Sequence, residues 1–351
     1  MNNKLRFSIC IPAYNRSEFL PPLLDSILSQ KFESYEVVIC EDYSPERKEI
    51  EKIVSHYNEN YQANIRLILN DTNLGYDANI RRLVEVSSGE YCFFLGNDDL
   101  LATEALSKVN EGLGAYSNVN IVLRSYVWFT TDPSRPDELI RYFNTDKFFV
   151  GIDALRVGYR RAGVLSGFII KRNVALDCET SIYDGTLYYQ KHLALNALKT
   201  GNLLYIDKVL TLSRADIPPD FGNSEIEKDF FVPGHYSPEA RLKMFGGAIK
   251  ILKDQCSDTE IKVVMGDYAK HFFPYIRDQL NLPLFEYVRY CRKLASLGFG
   301  RFLTFYIYCF TCYLLGTNRF DYVAKVLRRV RGTRFFGKAS ISSKGINTKR
   351  L

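Results

Sequence analysis

Short apolar runs alternate with longer amphipathic stretches along the first 125 residues of the chain. The runs at 5–11, 35–41, 64–69, 90–95 and 120–125 are rich in β-branched, aromatic and leucine residues, as strands are. Near 17–30, 45–59, 76–87 and 103–116, apolar residues recur three and four positions apart, which is the spacing of an amphipathic helix. We therefore predict an α/β fold, in which crossover helices cover a parallel sheet.

The pattern changes after about residue 130. Two loops rich in Pro, Asp and Ser, at 132–138 and 216–225, interrupt it, and several helices are indicated between 239 and 296. An aromatic run at 299–318 precedes a basic tail without apolar periodicity. We predict a main domain over 1–215, a helical accessory region over 216–298, and an aromatic and basic segment over 299–351 with a disordered tail.

Composition narrows the class of protein. The chain has 351 residues, of which 46% are hydrophobic and 25% charged, and this profile excludes collagen-like, fully disordered and multi-span membrane proteins. Eight cysteines are dispersed singly, so reduced thiols are expected rather than a disulfide framework. The first residues show no signal-peptide pattern. We therefore expect a cytoplasmic protein.

Charge is distributed unevenly between the two parts of the chain. Residues 1–240 carry a net charge of −8, whereas 241–351 carry +14. The 17 uncharged residues between Arg301 and Arg319 are too few and too polar for a confident span, so they favour a helix lying in the membrane plane. A buried helix is the alternative. We predict that 289–351 contacts an anionic membrane surface and that the protein binds no nucleic acid, because no recognition module is present.

Two acidic pairs follow predicted strands, and both should lie at the carboxyl edge of the sheet, where α/β proteins bind ligands. Asp98 and Asp99, preceded by Asn97, suit Mg²⁺ or Mn²⁺ that completes its shell with phosphate oxygens, although an ordinary Asn-Asp turn is the alternative. The pair Glu41 and Asp42 is suited to bind a nucleobase or ribose, or else to cap the next helix.

The loop after the first strand could stack on and hydrogen-bond a base through one aromatic and one amide side chain. It consists of Pro12, Ala13, Tyr14 and Asn15. No glycine-rich phosphate loop occurs in the sequence, so binding of a diphosphate would depend on the metal.

The order IPAYNR, VVICEDYSPE and NDTNLGYDANIRRLVEVSSGEYCFFLGNDD strongly resembles family 2 glycosyltransferases with the GT-A fold, especially those of bacterial O-antigen and capsule biosynthesis. The resemblance covers residues 5–130 well and 160–215 loosely, and it implies a mixed, mostly parallel sheet with helices on both faces and a C-terminal helical region. It implies that the following residues border the nucleotide-sugar: Pro12, Ala13, Tyr14, Asn15, Asp42, Gly75, Asn79, Asn97 and Asp98. It implies further that Asp99 is the principal metal ligand, with Asp98 beside it.

The same resemblance implies a catalytic base in the second half, and Asp184 is the best match, although Tyr183 stands where the family has a glutamate. An Asp-Gly turn is the alternative for Asp184. Arg214 is expected either to face the diphosphate or to be a surface arginine. The four histidines lack metal-ligand spacing, and Cys309 and Cys312 are expected on an apolar helical face rather than in a redox pair.

These features and the resemblance together predict a metal-dependent glycosyltransferase, and the resemblance implies that it inverts the anomeric centre. Its expected partners are a nucleotide-diphospho-sugar, in the first place a UDP-sugar, and a hydroxyl of a polyprenyl-linked glycan. Its expected location is the inner face of the cytoplasmic membrane. Two alternatives stay open: a sugar nucleotidyltransferase, which would usually show a glycine-rich basic loop, and a catalytically inert GT-A module of a glycan assembly complex.

Overall fold

The apolar runs form one continuous sheet in the computed structural model, which describes residues 5–61, 63–234 and 236–331. Its strands are β1 (Phe7–Ala13), β2 (Tyr35–Glu41), β3 (Ile65–Leu69), β4 (Tyr91–Phe94), β5 (Leu100–Leu101), β6 (Val119–Phe129), β7 (Glu138–Ile140), β8 (Lys147–Phe149), β9 (Phe168–Lys171) and β10 (Asn202–Arg214). Their order is β3-β2-β1-β4-β9-β6-β10-β5, with β7 beside β6 and β8 beside β10.

The direction of the strands confirms the predicted mixed sheet. Strand β1 runs parallel to β2 and β4, β2 parallel to β3, and β6 parallel to β10. Strand β9, which is not among the predicted strands, lies antiparallel between β4 and β6. The five predicted strands each overlap an observed one, but β9 separates the fourth from the fifth.

Helices cover both faces of the sheet, and the four predicted in the first 125 residues are confirmed as α1 to α4. The helices are α1 (Leu20–Leu28), α2 (Arg47–Tyr61), α3 (Tyr76–Val86), α4 (Ala105–Ala115), α5 (Gly151–Arg161), α6 (Arg172–Asp177), α7 (Tyr189–Thr200), α8 (Pro238–Gln255), α9 (Asp258–Lys270), α10 (Phe273–Ile276), α11 (Leu284–Ser296) and α12 (Leu303–Arg331). Helix α12 is broken at Gly316, whose φ is 67°.

Successive side chains of β1 point to opposite faces of the sheet, and apolar residues on both faces need covering helices. Phe7, Ile9 and Ile11 are fully buried in the hydrophobic cluster that includes α1, α2 and α4, whereas Cys10 belongs to the cluster on the opposite face. Burial of each large apolar side chain stabilises the fold by roughly 1.5–3 kcal/mol. The carboxyl ends of the strands, with their polar residues, are left at one edge.

The C-terminal helices pack against α5 and α7, which cover one face of the sheet, and against one another. Phe245 of α8, Tyr268 of α9, and Phe305 and Cys312 of α12 lie in the same cluster as α5 and α7. None of the eight cysteines, all within the described residues, forms a disulfide. None of the described helices has the length and apolarity needed to cross a bilayer. The predicted basic tail beyond residue 331 lies outside the described residues, and the three-part division of the chain stays a prediction.

Candidate active site

A cavity of about 1240 Å³ lies at the carboxyl edge of the parallel strands. Its floor comes from the loops that follow β1, β2 and β4, and its walls from the β6–β7 hairpin, the segment after β10 and residues of the C-terminal helices. Nine residues predicted from the sequence line it: Pro12, Ala13, Tyr14, Asp42, Gly75, Asn79, Asn97, Asp98 and Asp99. The structure therefore brings together side chains that are up to 87 positions apart in the sequence.

The two members of the Glu41-Asp42 pair have different environments. Glu41 is fully buried and accepts hydrogen bonds from the backbone N–H groups of Tyr43 and Ser44 and from the guanidinium of Arg47, so it organises the turn that leads into α2. Asp42 reaches the cavity. Only Asp42 is therefore placed to meet a ligand.

Asp42 also fixes the segment that precedes α3. Its carboxylate accepts hydrogen bonds from the Asn70 side chain at 2.8 Å and from the N–H groups of Leu74 and Gly75, both at 2.9 Å. Burial raises its pKa to about 6, although these three donors oppose the shift. Asn79 donates to the carbonyl of Cys40 at 3.0 Å and so ties the same segment to β2.

Asp98 and Asp99 differ in their contacts. Asp98 is on the cavity wall, where its Oδ2 accepts a hydrogen bond from Arg16 Nη1 at 2.6 Å. Asp99 accepts from the Ser166 hydroxyl and, at 2.7 Å, from the backbone N–H of Arg214. Burial, and then the charge of Asp98, raise the pKa of Asp99 to about 7. Both carboxylates are thus held in a site of low polarity.

One oxygen from each of these carboxylates points to the space beside Gly96. A methyl group added at Gly96 would lie 3.3 Å from both Asp98 Oδ1 and Asp99 Oδ2. Two converging carboxylate oxygens are suitable ligands for a hard divalent cation whose remaining ligands come from phosphate and water. Among the described residues there is no cluster of three or more His, Cys, Asp or Glu that could hold a metal.

Arg16, which sequence reasoning missed, links the loop after β1 to two other parts of the cavity. Besides Asp98, its guanidinium donates to the carbonyl of Pro218 at 2.7 Å. Asn15 lies beside the cavity and donates to Asp220 at 2.9 Å. Both residues adopt left-handed backbone conformations, with φ of 52° at Asn15 and 63° at Arg16. Residues 215–234, which we call the flap, are fastened over the cavity by these contacts.

Arg214 lines the cavity. Its guanidinium lies 4.4 Å from the Phe19 ring centroid and 4.8 Å from that of Phe129. Its Nε is buried without a hydrogen-bond partner among the described residues, and Asn15 Oδ1 is likewise buried and unpartnered. These two atoms leave hydrogen-bonding capacity for a ligand.

The structure does not bring Asp184 to the cavity. Its carboxylate accepts a hydrogen bond from Arg81 of α3 at 2.7 Å, and Arg81 also contacts Glu179. Burial raises the pKa of Asp184, whereas Arg81 lowers it. The Tyr183 hydroxyl points away toward Asp254 and Gln255. Asp184 thus pairs with α3 in the segment before α7, and it is not among the residues that line the cavity.

The β6–β7 hairpin contributes two carboxylates that sequence reasoning did not single out. Asp137 and Glu138 line the cavity beside Trp128 and Thr130. Asp137 accepts a hydrogen bond from the Thr130 hydroxyl at 2.8 Å, whereas the Glu138 carboxylate makes no hydrogen bond or ion pair with another described residue. The sequence showed only that 132–138 is a loop, and loops carry functional residues more often than the elements they join.

The chain is similar in sequence to known glycosyltransferases. The model of the family described as "Glycosyl transferase family 2" matches residues 8–167. Abequosyltransferase RfbV of Salmonella typhimurium is 30% identical over 230 residues, which are 60% of this chain and 66% of that protein. Amylovoran biosynthesis glycosyltransferase AmsB of Erwinia amylovora is 32% identical over 130 residues, 34% of this chain and 42% of that protein. The chain thus spans less than two thirds of either relative.

Solved structures confirm the predicted GT-A fold. S. aureus TarS in complex with UDP-GlcNAc superposes with a TM-score of 0.61 at 17% identity, covering 84% of this chain and 80% of that one. The mannosyltransferase PcManGT of Pyrobaculum calidifontis, in complex with GDP-Man and Mn²⁺, gives a TM-score of 0.51 at 14% identity, covering 94% and 82%. At this identity the likeness concerns the fold alone.

Proposed function

We propose that this chain, whose residues 8–167 match the model of glycosyl transferase family 2, transfers a sugar from a nucleotide-diphospho-sugar to an acceptor hydroxyl in the cavity. One observation carries the proposal. The cavity joins Asp42, the Asp98-Asp99 loop and two arginines at the carboxyl edge of the sheet, where an α/β fold binds nucleotides. The relatives RfbV and AmsB support a role in building a bacterial surface polysaccharide.

The donor nucleoside would occupy the end of the cavity formed by β1 and β2. Tyr14 is suited to stack on the base, and Asp42 to accept a hydrogen bond from a base N–H or a ribose hydroxyl. The other residues that we place beside the nucleotide are Pro12, Ala13, Asn15, Gly75, Asn79, Asn97 and Asp98. A UDP-sugar is the first donor to test, since TarS was solved with UDP-GlcNAc.

The diphosphate would lie between the acidic loop and the arginines. Arg16 and Arg214 both line the cavity, and their charges are close enough to Asp98 to lower its pKa against the effect of burial. A guanidinium binds phosphate oxygens through charge-assisted hydrogen bonds. We propose that Arg16 and Arg214 hold the leaving diphosphate.

Mg²⁺ or Mn²⁺ would be held by Asp98 and Asp99, whose oxygens converge beside Gly96. A bound divalent cation there would supply Lewis-acid stabilisation of the charge on the leaving diphosphate. PcManGT was solved with Mn²⁺, which supports this choice of metal. Asp99 has a second role in this proposal, because its bonds to Ser166 and to the N–H of Arg214 fix the acidic loop to β10.

Transfer with inversion requires a base that takes the proton from the acceptor hydroxyl. The hydroxyl oxygen forms a bond to the anomeric carbon while the bond from that carbon to the diphosphate oxygen breaks, and the diphosphate leaves with the electron pair. Asp184 was predicted for the base, but it is paired with Arg81 outside the cavity. We propose Glu138 instead, because it lines the cavity and has no partner among the described residues.

The acceptor we propose is a polyprenyl-linked surface glycan at the cytoplasmic face of the membrane. The cavity has room for both substrates, and its wall beyond the flap includes Arg241, Arg277 and Tyr322 of the C-terminal region. These residues place two guanidinium groups and an aromatic ring on the acceptor side, opposite in charge to the hairpin carboxylates. Guanidinium groups bind phosphate through charge-assisted hydrogen bonds, which favours a phosphate-linked glycan over a neutral sugar.

The test is transfer of labelled sugar from UDP-, GDP-, CDP- and dTDP-sugars to a membrane extract that contains lipid-linked glycan. We expect one nucleotide class to support transfer, and we expect Asp98→Ala to reduce the rate by at least about 100-fold without unfolding the protein. The matched control is Asp132→Ala, an exposed aspartate outside the cavity. Transfer at the wild-type rate by Asp98→Ala would rule out the proposed site.

A further inference from the structure

Helix α12 presents a stripe of large apolar side chains to solvent, with no described residue covering it. The side chains are 51–75% exposed and recur three and four positions apart, at Leu303, Tyr306, Ile307, Phe310 and Leu314. Soluble proteins expose single apolar residues routinely, whereas a continuous stripe marks an interaction surface.

The orientation of this stripe is fixed by the opposite side of the helix. Phe305, Cys309 and Cys312 are buried in the main hydrophobic cluster, so α12 cannot rotate without exposing them. The Tyr287 hydroxyl of α11 donates to the carbonyl of Cys309 at 2.8 Å, and the Tyr287 ring stacks on Tyr313 with centroids 4.5 Å apart. Helix α11 is therefore held beside α12.

Helix α11 extends the apolar surface and surrounds it with positive charge. Leu284, Phe285 and Val288 are exposed, and Phe285 is 80% accessible. Five exposed basic residues lie on or between the two helices: Arg289, Arg292, Lys293, Arg301 and Arg319. They form no ion pair with another described residue, and residues 284–322 contain only two acidic positions. The surface thus combines apolar and cationic groups.

We propose that this surface, formed by the exposed residues of α11 and of α12 up to Gly316, docks on an anionic phospholipid bilayer. A helix with an apolar stripe and basic borders lies in the interface plane, with its aromatic and aliphatic side chains among the acyl chains and its cations at the headgroups. No described helix can cross a membrane, which agrees with a surface-bound state. The charge makes lipid a better match than a second copy of this cationic surface.

The docking surface is connected to the cavity through α12. Tyr322, on the part of α12 that follows Gly316, lines the cavity wall. Docking would therefore bring the acceptor side of the cavity near the headgroups. That orientation rests on the proposed function, whereas binding to the bilayer does not, and a vesicle assay tests binding alone.

The first experiment is co-sedimentation of the full chain with phosphatidylcholine vesicles, with and without about one third phosphatidylglycerol. We expect binding only to the anionic vesicles, and weaker binding in high salt. The paired substitution Phe310→Glu with Leu314→Glu should abolish it. The matched control is Ile182→Glu, because Ile182 is 71% exposed but lies outside the docking surface.

The basic residues are tested separately with Arg289→Gln, Arg292→Gln and Lys293→Gln in one chain. At about 1 kcal/mol for each basic residue near an anionic surface, binding should weaken roughly 100-fold. The control replaces Lys48, Lys52 and Arg135, which are exposed on other elements, by Gln. Equal weakening in both triple variants would show that only net charge matters and would overturn the docking surface.

Tryptophan fluorescence tests the proposal even if the variant with Phe310→Glu and Leu314→Glu fails to fold. When anionic vesicles are added, the tryptophan emission of the Phe310→Trp variant should shift to the blue and be quenched by brominated lipid. The Ile182→Trp variant should show neither effect. Trp128 is present in both variants and cancels in the comparison. Wild-type protein that ignores anionic vesicles, or Phe310→Trp that is not quenched while the protein is bound, would overturn the proposal.

Discussion

Adjacent residues in this protein differ in chemistry because their burial and partners differ. Asp98 faces the cavity and pairs with Arg16, whereas Asp99 is held by Ser166 and the backbone of Arg214. The sequence predicted a pair of carboxylates at the end of a strand. It could not predict these contacts, because Arg16 and Arg214 are 82 and 115 positions away from the aspartates that they contact.

The stability of the ligand-free protein should depend on the ionisation of Asp99. Because burial raises its pKa to about 7, the folded state binds more protons than the unfolded state between about pH 4 and 7. Protonation of Asp99 therefore contributes its full share to the free energy of unfolding below about pH 4, and this contribution is lost as the pH rises through 7. The Asp99→Asn variant has no carboxyl to ionise at this position, so only the wild type loses stability as the pH rises. The unfolding free energy of the variant minus that of the wild type should therefore increase from pH 5 to pH 8.

We expect an increase on the order of 2 kcal/mol, measured by chemical denaturation at each pH. Asp132→Asn, at an exposed position, is the control and should give a constant difference. A difference between Asp99→Asn and wild type that does not change with pH would contradict a raised pKa at Asp99.

Glu138 and Asp184 are the two candidates for the catalytic base. Glu138 lines the cavity, whereas Asp184 pairs with Arg81 outside it. Glu138→Gln should lower kcat by about 100-fold or more, because no group would accept the acceptor's proton. Asp184→Asn should retain kcat and lose mainly stability, since it breaks the ion pair with Arg81. Steady-state kinetics measure kcat of both variants, and thermal melts measure their stability. The opposite pattern would restore the role predicted for Asp184.

At the scale of elements, local patterns were sufficient for the strands and helices of the first 125 residues but not for the rest of the sheet. The apolar runs predicted β1 to β4 and β6, because β1, β2, β4 and β6 are buried on both faces and the edge strand β3 is partly buried. Strand β9 is only four residues long, and its antiparallel place between β4 and β6 depends on long-range pairing. The flap was read as a loop, and its contacts with Asn15 and Arg16 are equally long-range.

Gly75 joins the flap to the nucleotide side of the cavity. Its φ of 86° is unfavourable for other residues, and an added methyl group would lie 2.7 Å from Ser224 Oγ and 2.9 Å from Glu227 Oε1. Gly75→Ala should therefore lower the unfolding free energy by about 1–3 kcal/mol and weaken donor binding, because the Gly75 N–H donates to Asp42. Thermal melting with and without donor measures both effects.

Gly114 provides the matched control. It lies near the end of α4, and an added methyl group there would meet no atom within 4 Å. Gly114→Ala should be neutral or stabilise the protein by about 0.5–1 kcal/mol. A Gly75→Ala variant as stable as Gly114→Ala, with donor binding intact, would show that the flap does not depend on this contact.

At the scale of the whole molecule, the cavity gathers residues from nearly the full length of the described chain, from Pro12 to Tyr322. The motifs of the first 130 residues predicted the nucleotide side, because those residues follow strands whose carboxyl ends meet at one edge. The acceptor side comes from the hairpin, the flap and the C-terminal helices. Their patterns show only loops and helices, so Glu138, Arg241 and Arg277 could not be assigned from sequence.

The central claim is that the cavity binds a nucleotide-diphospho-sugar through its diphosphate and a divalent cation. The most direct measurement is a thermal shift with UDP-, GDP-, CDP- and dTDP-sugars, with and without Mn²⁺, because a ligand that binds only the folded state raises the melting temperature. We expect one nucleotide class to stabilise the wild type more strongly with Mn²⁺, and Asp98→Ala to lose the metal-dependent part. A folded protein that none of these donors stabilises, with or without metal, would contradict the claim.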